Sequence, residues 1–495
     1  MPSHPSLYQI NTRVWIRRFG PNARLNDVPE AFWDFLADRG MDFVWLMGIW
    51  QTPDEAIPRY AFEPGLQQAY AEALPDWKPE DVIGSPYAID RYVIHEKLGT
   101  TADLVKLRKL LNKKGLRLIL DFIPNHFHSE SALHKEHPDL FLHAGEEWLQ
   151  ADSFTFYRNP AGQITAHGKD PYFAAWLDTA QVNYFQPQAV RFMTEQLVQL
   201  TDVCDGVRCD MAMLALNEVF GRTWGHVLEN ATWPHSEFWE QAIRAVRDKA
   251  PSFTFIAEVY WNLESRLQHL GFDYTYDKTL IDRLKTRNVD PIRWHLMAEP
   301  DYQDRSVRFL ENHDEERVAG IFSRQRSEAA AVITSTIPGM RFFFDGQWEG
   351  RRIRLPVQLG REPVEAWCGC LTARKLPLPK EPWVRSVCPC SWHFYEELCR
   401  LTKDEVFRIG SWRQLSAEAL TNAASLLVWE WRLGPARRLV VTNYSEHLAQ
   451  DVKVVLPEKA EHITWRDTQS GQLTMDGVLG VVGPYEYRIM ESVGA

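Results

Sequence analysis

The chain has no long apolar run and no basic stretch followed by one. It opens Met1-Pro2-Ser3-His4-Pro5, without the pattern of a secretory leader or a membrane span. A cytoplasmic protein is the expectation. Cysteine is sparse, at seven among 495 residues, and in that compartment reads as reduced thiol rather than a disulfide framework. Positive charge is also short. Fifty-five Lys and Arg stand against 66 Asp and Glu, for a net charge of −11. This argues against nucleic acid and anionic membranes as partners, since phosphate surfaces select basic proteins. A neutral substrate is compatible with it. The sequence says nothing of oligomeric state.

What the chain has in quantity is aromatic side chain, with 20 Trp and 16 Tyr. Aromatic faces stack on sugar rings, but they also fill cores, so abundance alone does not choose. A 45% hydrophobic and 24% charged composition is that of a globular protein able to bury a large core. The length exceeds one small domain.

Apolar runs at residues 6–15, 42–47, 116–122, 206–210, 253–257, 272–276, 306–310 and 341–344 read as strands. Helical patterns at 31–39, 187–202 and 236–249 lie among them. Another carries Leu104, Leu107, Leu110 and Leu111 and stops at Gly115. Such alternation predicts an α/β fold, a (β/α)8 TIM barrel. Residues 51–84 form a long connection, a length usually reserved for function. Residues 127–178 break the rhythm and predict a small excursion domain after the third strand. The final barrel helix is expected at 391–401, with Ser391 as its N-cap. Beyond residue 411, runs at 425–431, 438–442 and 450–456 have no helices between them. They predict a C-terminal antiparallel β-sandwich. The expected division is 1–126 with 179–405 for the barrel, 127–178 for the excursion and 406–495 for the sandwich.

Charges cluster where these strands end. Gly206-Val207-Arg208-Cys209-Asp210 places Arg208 and Asp210 two apart, so on a strand they share a face. The third strand runs into Asp121, Asn125 and His126, the fifth into Glu258, the seventh into Asn312-His313-Asp314. In a barrel these ends converge on one mouth, where active sites lie. So many charges on separate strands cannot all be satisfied cheaply as packing. Two carboxylates facing one pocket suit glycosidic bond cleavage. Asp210, beside an arginine, should stay ionised and act as nucleophile. Glu258, after an apolar strand, should hold its proton and act as general acid.

Asp121-Phe122-Ile123-Pro124-Asn125-His126, Gly206 to Asp210, Ile256-Ala257-Glu258 and Glu311-Asn312-His313-Asp314 resemble, in order, the signature regions of the α-amylase family of glycoside hydrolases, family 13. Segments 98–104 and 338–347 resemble it too. The resemblance implies that Asp210 is the nucleophile, Glu258 the acid/base and Asp314 the carboxylate that stabilises the distorted sugar. It implies that Tyr87, His126, Arg208 and His313 bind substrate or hold the nucleophile, and that Asp121 is structural. The implied activity is retaining hydrolysis of α-1,4-linked glucans or short maltooligosaccharides through a covalent glycosyl-enzyme intermediate. Transfer to another sugar or to phosphate (a glucano- or maltosyltransferase, or a phosphorylase-like enzyme) is the alternative on the same machinery. A catalytically silent carbohydrate-binding protein is a third reading, which the three carboxylates oppose.

Departures from the family pattern matter. Met213 and Leu214 stand where many secreted amylases carry a Lys-His pair, which argues against a long-starch endo-amylase. Asn125 matches a calcium-ligand position, but partner acids are not found in the excursion, so calcium is not predicted. Cys368-Gly369-Cys370 and Cys388-Pro389-Cys390 pair two C-x-C motifs. A structural zinc knuckle usually spaces its cysteines by two residues, so zinc is not expected either. No cofactor is predicted.

Overall fold

The computed structural model describes residues 2–228, 232–365, 376–385, 387–456 and 463–493. Eight parallel strands close a barrel: β1 (Ser6–Asn11), β2 (Phe43–Met47), β3 (Arg117–Phe122), β4 (Gly206–Cys209), β5 (Thr254–Ala257), β6 (Tyr274–Tyr276), β7 (Ser306–Arg308) and β8 (Met340–Phe344). Neighbours follow chain order, and β8 returns to β1 with Ser6 opposite Arg341.

Strand alternation separates two cores. Leu7, Trp45, Ile119, Ile256, Val307 and Phe342 fill the barrel interior. The intervening Tyr8, Val44, Leu120, Val207, Phe255 and Phe343 face the helices. Gly206 is where β4 meets β5 most closely; a Cβ there would lie 2.5 Å from the Thr254 carbonyl oxygen. The helical layer includes α1 (Glu30–Asp38), α2 (Thr101–Lys113), α3 (Pro187–Leu200), α4 (Phe238–Lys249), α5 (Arg324–Thr336) and α6 (Pro389–Thr402). Thr100 caps α2 with a capping box to Asp103, and Gly115 beyond its end takes φ +78°.

Two local expectations fail. The first strand stops at Asn11, and Thr12–Trp15 turns into a short helix. That turn sets Trp15 against Phe19, Phe32 and Trp33, an aromatic cluster no extended chain would assemble. The last barrel helix starts at Pro389 rather than at Ser391, which lies inside it. Proline in the first turn loses no hydrogen bond, so it starts the helix without a side-chain cap. The 51–84 connection also carries a helix, Pro64–Ala73, whose Tyr70 and Ala73 pack with Val82 and Leu359.

The C-terminal part has strands β9 (Ser411–Glu418), β10 (Leu426–Leu433), β11 (Ala436–Asn443), β12 (Ala449–Val455), β13 (Thr464–Asp467), β14 (Leu473–Met475), β15 (Val478–Val482) and β16 (Tyr487–Val493). They run antiparallel in the order β14-β13-β16-β11-β10-β9-β12-β15. β9 pairs with β10 through residues 411–415 and with β12 through 416–418, joining the two layers of the sandwich. Leu426, Val428, Leu439, Val452 and Trp465 fill its interior. The alternate residues of β10, Leu427, Trp429 and Trp431, belong instead to the barrel's outer core. The Trp431 indole N–H donates to the Thr336 carbonyl on α5 at 2.6 Å. Among the described residues, no helix is long and apolar enough to cross a membrane.

Candidate active site

Register builds the site. Val207 and Cys209 face the helices, so Arg208 and Asp210 point into the mouth. Arg208 lies opposite Asp121 on β3 and Ile256 on β5. Two residues beyond Ile256, in the same phase, stands Glu258. Arg208 Nη1 donates to Asp210 Oδ1 at 2.6 Å. Its Nη2 lies 2.7 Å from Glu258 Oε2, an ion contact without hydrogen-bond alignment. Arg208 Nη1 is also 3.7 Å from Asp121, whose Oδ2 accepts the Gly48 N–H at 2.9 Å. One buried guanidinium thus serves three carboxylates.

Glu258 has two further donors. The Tyr260 hydroxyl donates to Oε1 at 2.7 Å, and the Met211 N–H to Oε2 at 2.7 Å. Met211 reaches it from a left-handed conformation, φ +42°, unusual for a non-glycine residue and tied to the turn after Asp210. Burial pushes the Glu258 carboxyl up, Arg208 opposes it, and Asp210 and Asp314 add to the rise. Burial also raises Asp210 against the pull of Arg208. Desolvation at the mouth would raise Asp314 too, but its side chain is half exposed, and His313, Arg208 and Arg354 outweigh that effect and hold the carboxyl low.

The opposite wall is His313. Gln9 Nε2 lies 2.8 Å from its Nδ1, which fixes Nδ1 as the acceptor and puts the proton on Nε2. Nε2 then lies 2.7 Å from the Tyr87 hydroxyl and 3.0 Å from Asp314 Oδ2. The Tyr87 ring stacks on His313 with centroids 5.3 Å apart, and the Arg208 guanidinium lies 5.3 Å from the Tyr87 centroid. His126 stands on a strand, His126–His128, beside Trp176, with centroids 5.4 Å apart. Burial lowers His126 to about 4, against a backbone bond at Tyr87, so the imidazole is neutral.

All the residues singled out from the sequence, Tyr87, His126, Arg208, Asp210, Glu258, His313 and Asp314, therefore lie around one mouth. Sequence reading missed Gln9, Tyr260 and the Arg208–Glu258 contact. Tyr260 sits two residues after Glu258 and could have been found from that spacing. Gln9 gave one signal, a polar residue in an apolar strand. On the Glu258 side, Met213 and Leu214 are buried in a turn and present nothing to a ligand. The rim there is instead Tyr172 against Trp261, edge to face at 4.9 Å, with Trp261 at φ +65°.

The family model for the catalytic domain of alpha amylase matches residues 31–353. The chain belongs to the α-amylase family. Among curated relatives of this α-amylase-family chain, Alpha-amylase 3 of Dictyoglomus thermophilum is 23% identical over 300 residues, covering 56% of each. Alpha-amylase MalA of Haloarcula japonica is 25% identical over 286 residues, covering 56% of this chain and 37% of its own. The chain thus spans about half or less of these relatives' length. Among solved structures, a noncanonic maltogenic alpha-amylase, AmyB of Thermotoga neapolitana, superposes with TM-score 0.70 at 20% identity, covering 100% of this chain and 99% of its own. An alpha-amylase from H. orenii gives 0.68 at 18%, with both chains fully covered. At such identities the likeness establishes the shared fold.

The α-amylase resemblance at Asn125 raises the question of calcium. Three oxygens converge there: Asn125 O, Asn125 Oδ1 and Val182 O. At their focus, 3.0 Å from each, sits the Gln181 side-chain amide nitrogen. Calcium takes six to eight oxygens and favours carboxylates. Here a neutral N–H donor fills the position, so these residues do not fit the ion. Among the described residues, no group of three or more His, Cys, Asp or Glu could hold a metal. Of the paired C-x-C motifs, Cys388 is half-buried and Cys390 buried; Cys368 and Cys370 lie outside the described residues.

Proposed function

We propose that this α-amylase-family protein is a retaining glycosidase that cleaves short α-1,4-linked glucans. The observation that carries the proposal is the single guanidinium of Arg208 shared between Asp210 and Glu258. From Arg208, Asp210 receives a directed hydrogen bond and Glu258 an undirected contact, while Tyr260 and Met211 hold Glu258 in place. Burial and the neighbouring charges of Asp210 and Asp314 push the Glu258 carboxyl up, and the Tyr260 hydroxyl 2.7 Å from Oε1 can accept its proton's hydrogen bond, so in this reading Glu258 holds the proton and Asp210, bonded to Arg208, the negative charge. Asp210 attacks the anomeric carbon, and Glu258 gives its proton to the departing oxygen. Water then enters, Glu258 takes its proton, and the bond to Asp210 is broken with net retention. Asp314, His313 and His126 hydrogen-bond the sugar at the cleavage point, over the Tyr87 ring. The burial of Met213 and Leu214 supports oligosaccharides over long starch chains.

Transfer is the second reading, and the Tyr172–Trp261 pair favours it, because it offers an aromatic face to an acceptor sugar on the acid's side. Incubation with maltotriose and maltopentaose, followed by chromatography of the products, tests both. Shorter sugars alone mean hydrolysis. A ladder of longer ones means transfer. No change in either substrate would overturn the proposal.

A cytoplasmic setting belongs to the same proposal, supported by the buried thiols of Cys204, Cys209 and Cys399. So does independence from calcium, supported by the Gln181 amide. A tightly bound ion at a hundred times its Kd would add about 2.7 kcal/mol, several degrees of melting temperature. Melting in millimolar calcium and in excess chelator is expected to agree within about 1 °C. A rise of several degrees with calcium would contradict the reading of Gln181.

A further inference from the structure

A cavity of about 490 Å3 stands apart from the catalytic residues. It is walled by residues 13–24 after β1, by both ends of the 51–84 connection and by residues 95–98 before α2. None of the residues gathered around Asp210 and Glu258 lines it. Its volume is that of a small-molecule site, about 300–1,000 Å3.

One of the side chains lining it is a buried cation without a counterion. Arg13 is 9% exposed. Its Nε donates to the Gly48 carbonyl and its Nη2 to the Trp50 carbonyl, each at 2.8 Å, and Nη2 also donates to Thr52 Oγ1 at 3.2 Å. All three acceptors are neutral. Among the described residues, no carboxylate pairs with Arg13, and its Nη1 has no hydrogen-bond partner. Burial lowers the guanidinium to about 10, and Asp54 offsets this only in part. That carboxylate is already engaged by Lys97 and lies 3.2 Å from His95 Nε2. A charge withdrawn from water without a partner is costly, which favours an anion beside it. The three neutral acceptors hold the guanidinium in place before any ligand arrives, which lowers the cost of binding.

The rest of the lining completes an anion site. Arg17 and Arg24 are exposed and form no hydrogen bond or close ion pair through their side chains among the described residues. Asp81, which feels the charge of Arg17, is held by Arg361 at 2.9 Å. Besides Asp54, the carboxylate lining the cavity is Glu80, so the guanidinium groups of Arg13, Arg17 and Arg24 outnumber it in a chain whose net charge is −11. Guanidinium forks match phosphate oxygens in pairs. A bare oxyanion fills only a few water volumes of about 30 Å3 each and would leave most of the space over. The remaining wall is aliphatic, with Ile16, Val82 and Leu98 buried in it, and Asn22 and Glu80 supply polar groups for hydroxyls.

We propose that this cavity binds a small organic phosphate, a phosphate monoester with a body of about hexose size, at a site separate from the one that cleaves glucans. Isothermal titration of the full chain with glucose 6-phosphate, inorganic phosphate and glucose tests it. Glucose 6-phosphate should bind with a Kd below about 1 mM, and inorganic phosphate and glucose each at least about tenfold more weakly. In the Arg17→Ala, Arg24→Ala double variant, the Kd for glucose 6-phosphate should rise at least about tenfold, because hydrogen bonds between charged groups are the strong ones. The Arg17→Lys, Arg24→Lys variant should fall between the two, since it keeps the charge and loses only the fork. Both positions are exposed, so melting of either variant should stay within about 2 °C of the wild type. In Asp210→Asn protein, saturating maltopentaose should leave the Kd for glucose 6-phosphate unchanged. Competition there would put the phosphate in the mouth and overturn the proposal. So would an absence of glucose 6-phosphate binding, equally tight binding of inorganic phosphate or glucose, or a Kd unmoved in the alanine variant.

Discussion

Asp210→Asn is expected to lower kcat on maltooligosaccharides by at least about 10⁴-fold, as removal of a nucleophile does when no other group can replace it. The amide keeps the shape of the side chain and can still accept from Arg208 Nη1 through its oxygen. Arg208 also keeps its contacts with Glu258 and Asp121. The fold should therefore survive, and thermal melting followed by circular dichroism should show one cooperative transition within a few degrees of the wild type. In the wild-type protein, the first product seen by NMR should carry the α configuration. An initial β anomer would mean that Asp210 works as a base through water, and the covalent mechanism would be abandoned.

Glu258→Gln should lower turnover of unactivated glucans by about 10²–10⁴-fold, the range that general acid catalysis supplies. An α-glycosyl fluoride needs no proton to depart, so its first step should be largely spared. The pH profile separates the roles further. A free Glu titrates near 4.3, and burial raises Glu258 above that, so the acid keeps its proton into less acidic solution. Activity should fall on the acid side as Asp210 and Asp314 take up protons and on the alkaline side as Glu258 loses its own. Glutamine cannot titrate. The alkaline limb should therefore vanish from fluoride turnover in the variant, and a limb that stayed in place would assign that ionisation to another group.

The strand ends were legible because β geometry is local. An Arg-x-Asp on a strand must share a face, and an apolar strand running into Glu must present it at the end. The barrel followed from counting such strands. What the sequence hid was register. Nothing near Arg208 says that Ile256, and hence Glu258, is its neighbour on the next strand. Gln9, which sets the His313 tautomer, lies 304 residues away. Asn125 was visible as an oxygen donor, but the amide that occupies its site comes from Gln181, after the whole excursion. Of the C-terminal strands only β10, β11 and β12 were read from the sequence; β9, β13, β14, β15 and β16 were not, β14 being three residues long with no buried side chain and β15 being interrupted by Gly480 at φ +71°. The short helix at Thr12–Trp15 was misread because its apolar residues answer to Phe32 and Trp33 on α1 rather than to a strand neighbour.

Closure of the barrel, with Ser6 against Arg341, has a consequence for how the protein is made. Of the barrel strands, β1 is the first to leave the ribosome and β8 the last. At about 5–20 residues per second, β1 waits roughly 20–60 s before its second neighbour exists. Arg341 then fastens the seam twice over, donating to His4 O on one side and to Phe407 O on the other, each at 2.6 Å. The latter lies after the final barrel helix, so the lock is completed only when that segment has emerged. From the synthesis of β1 until that of β8 the nascent chain therefore carries an apolar strand with one open edge, the kind of surface that aggregates unless something shields it.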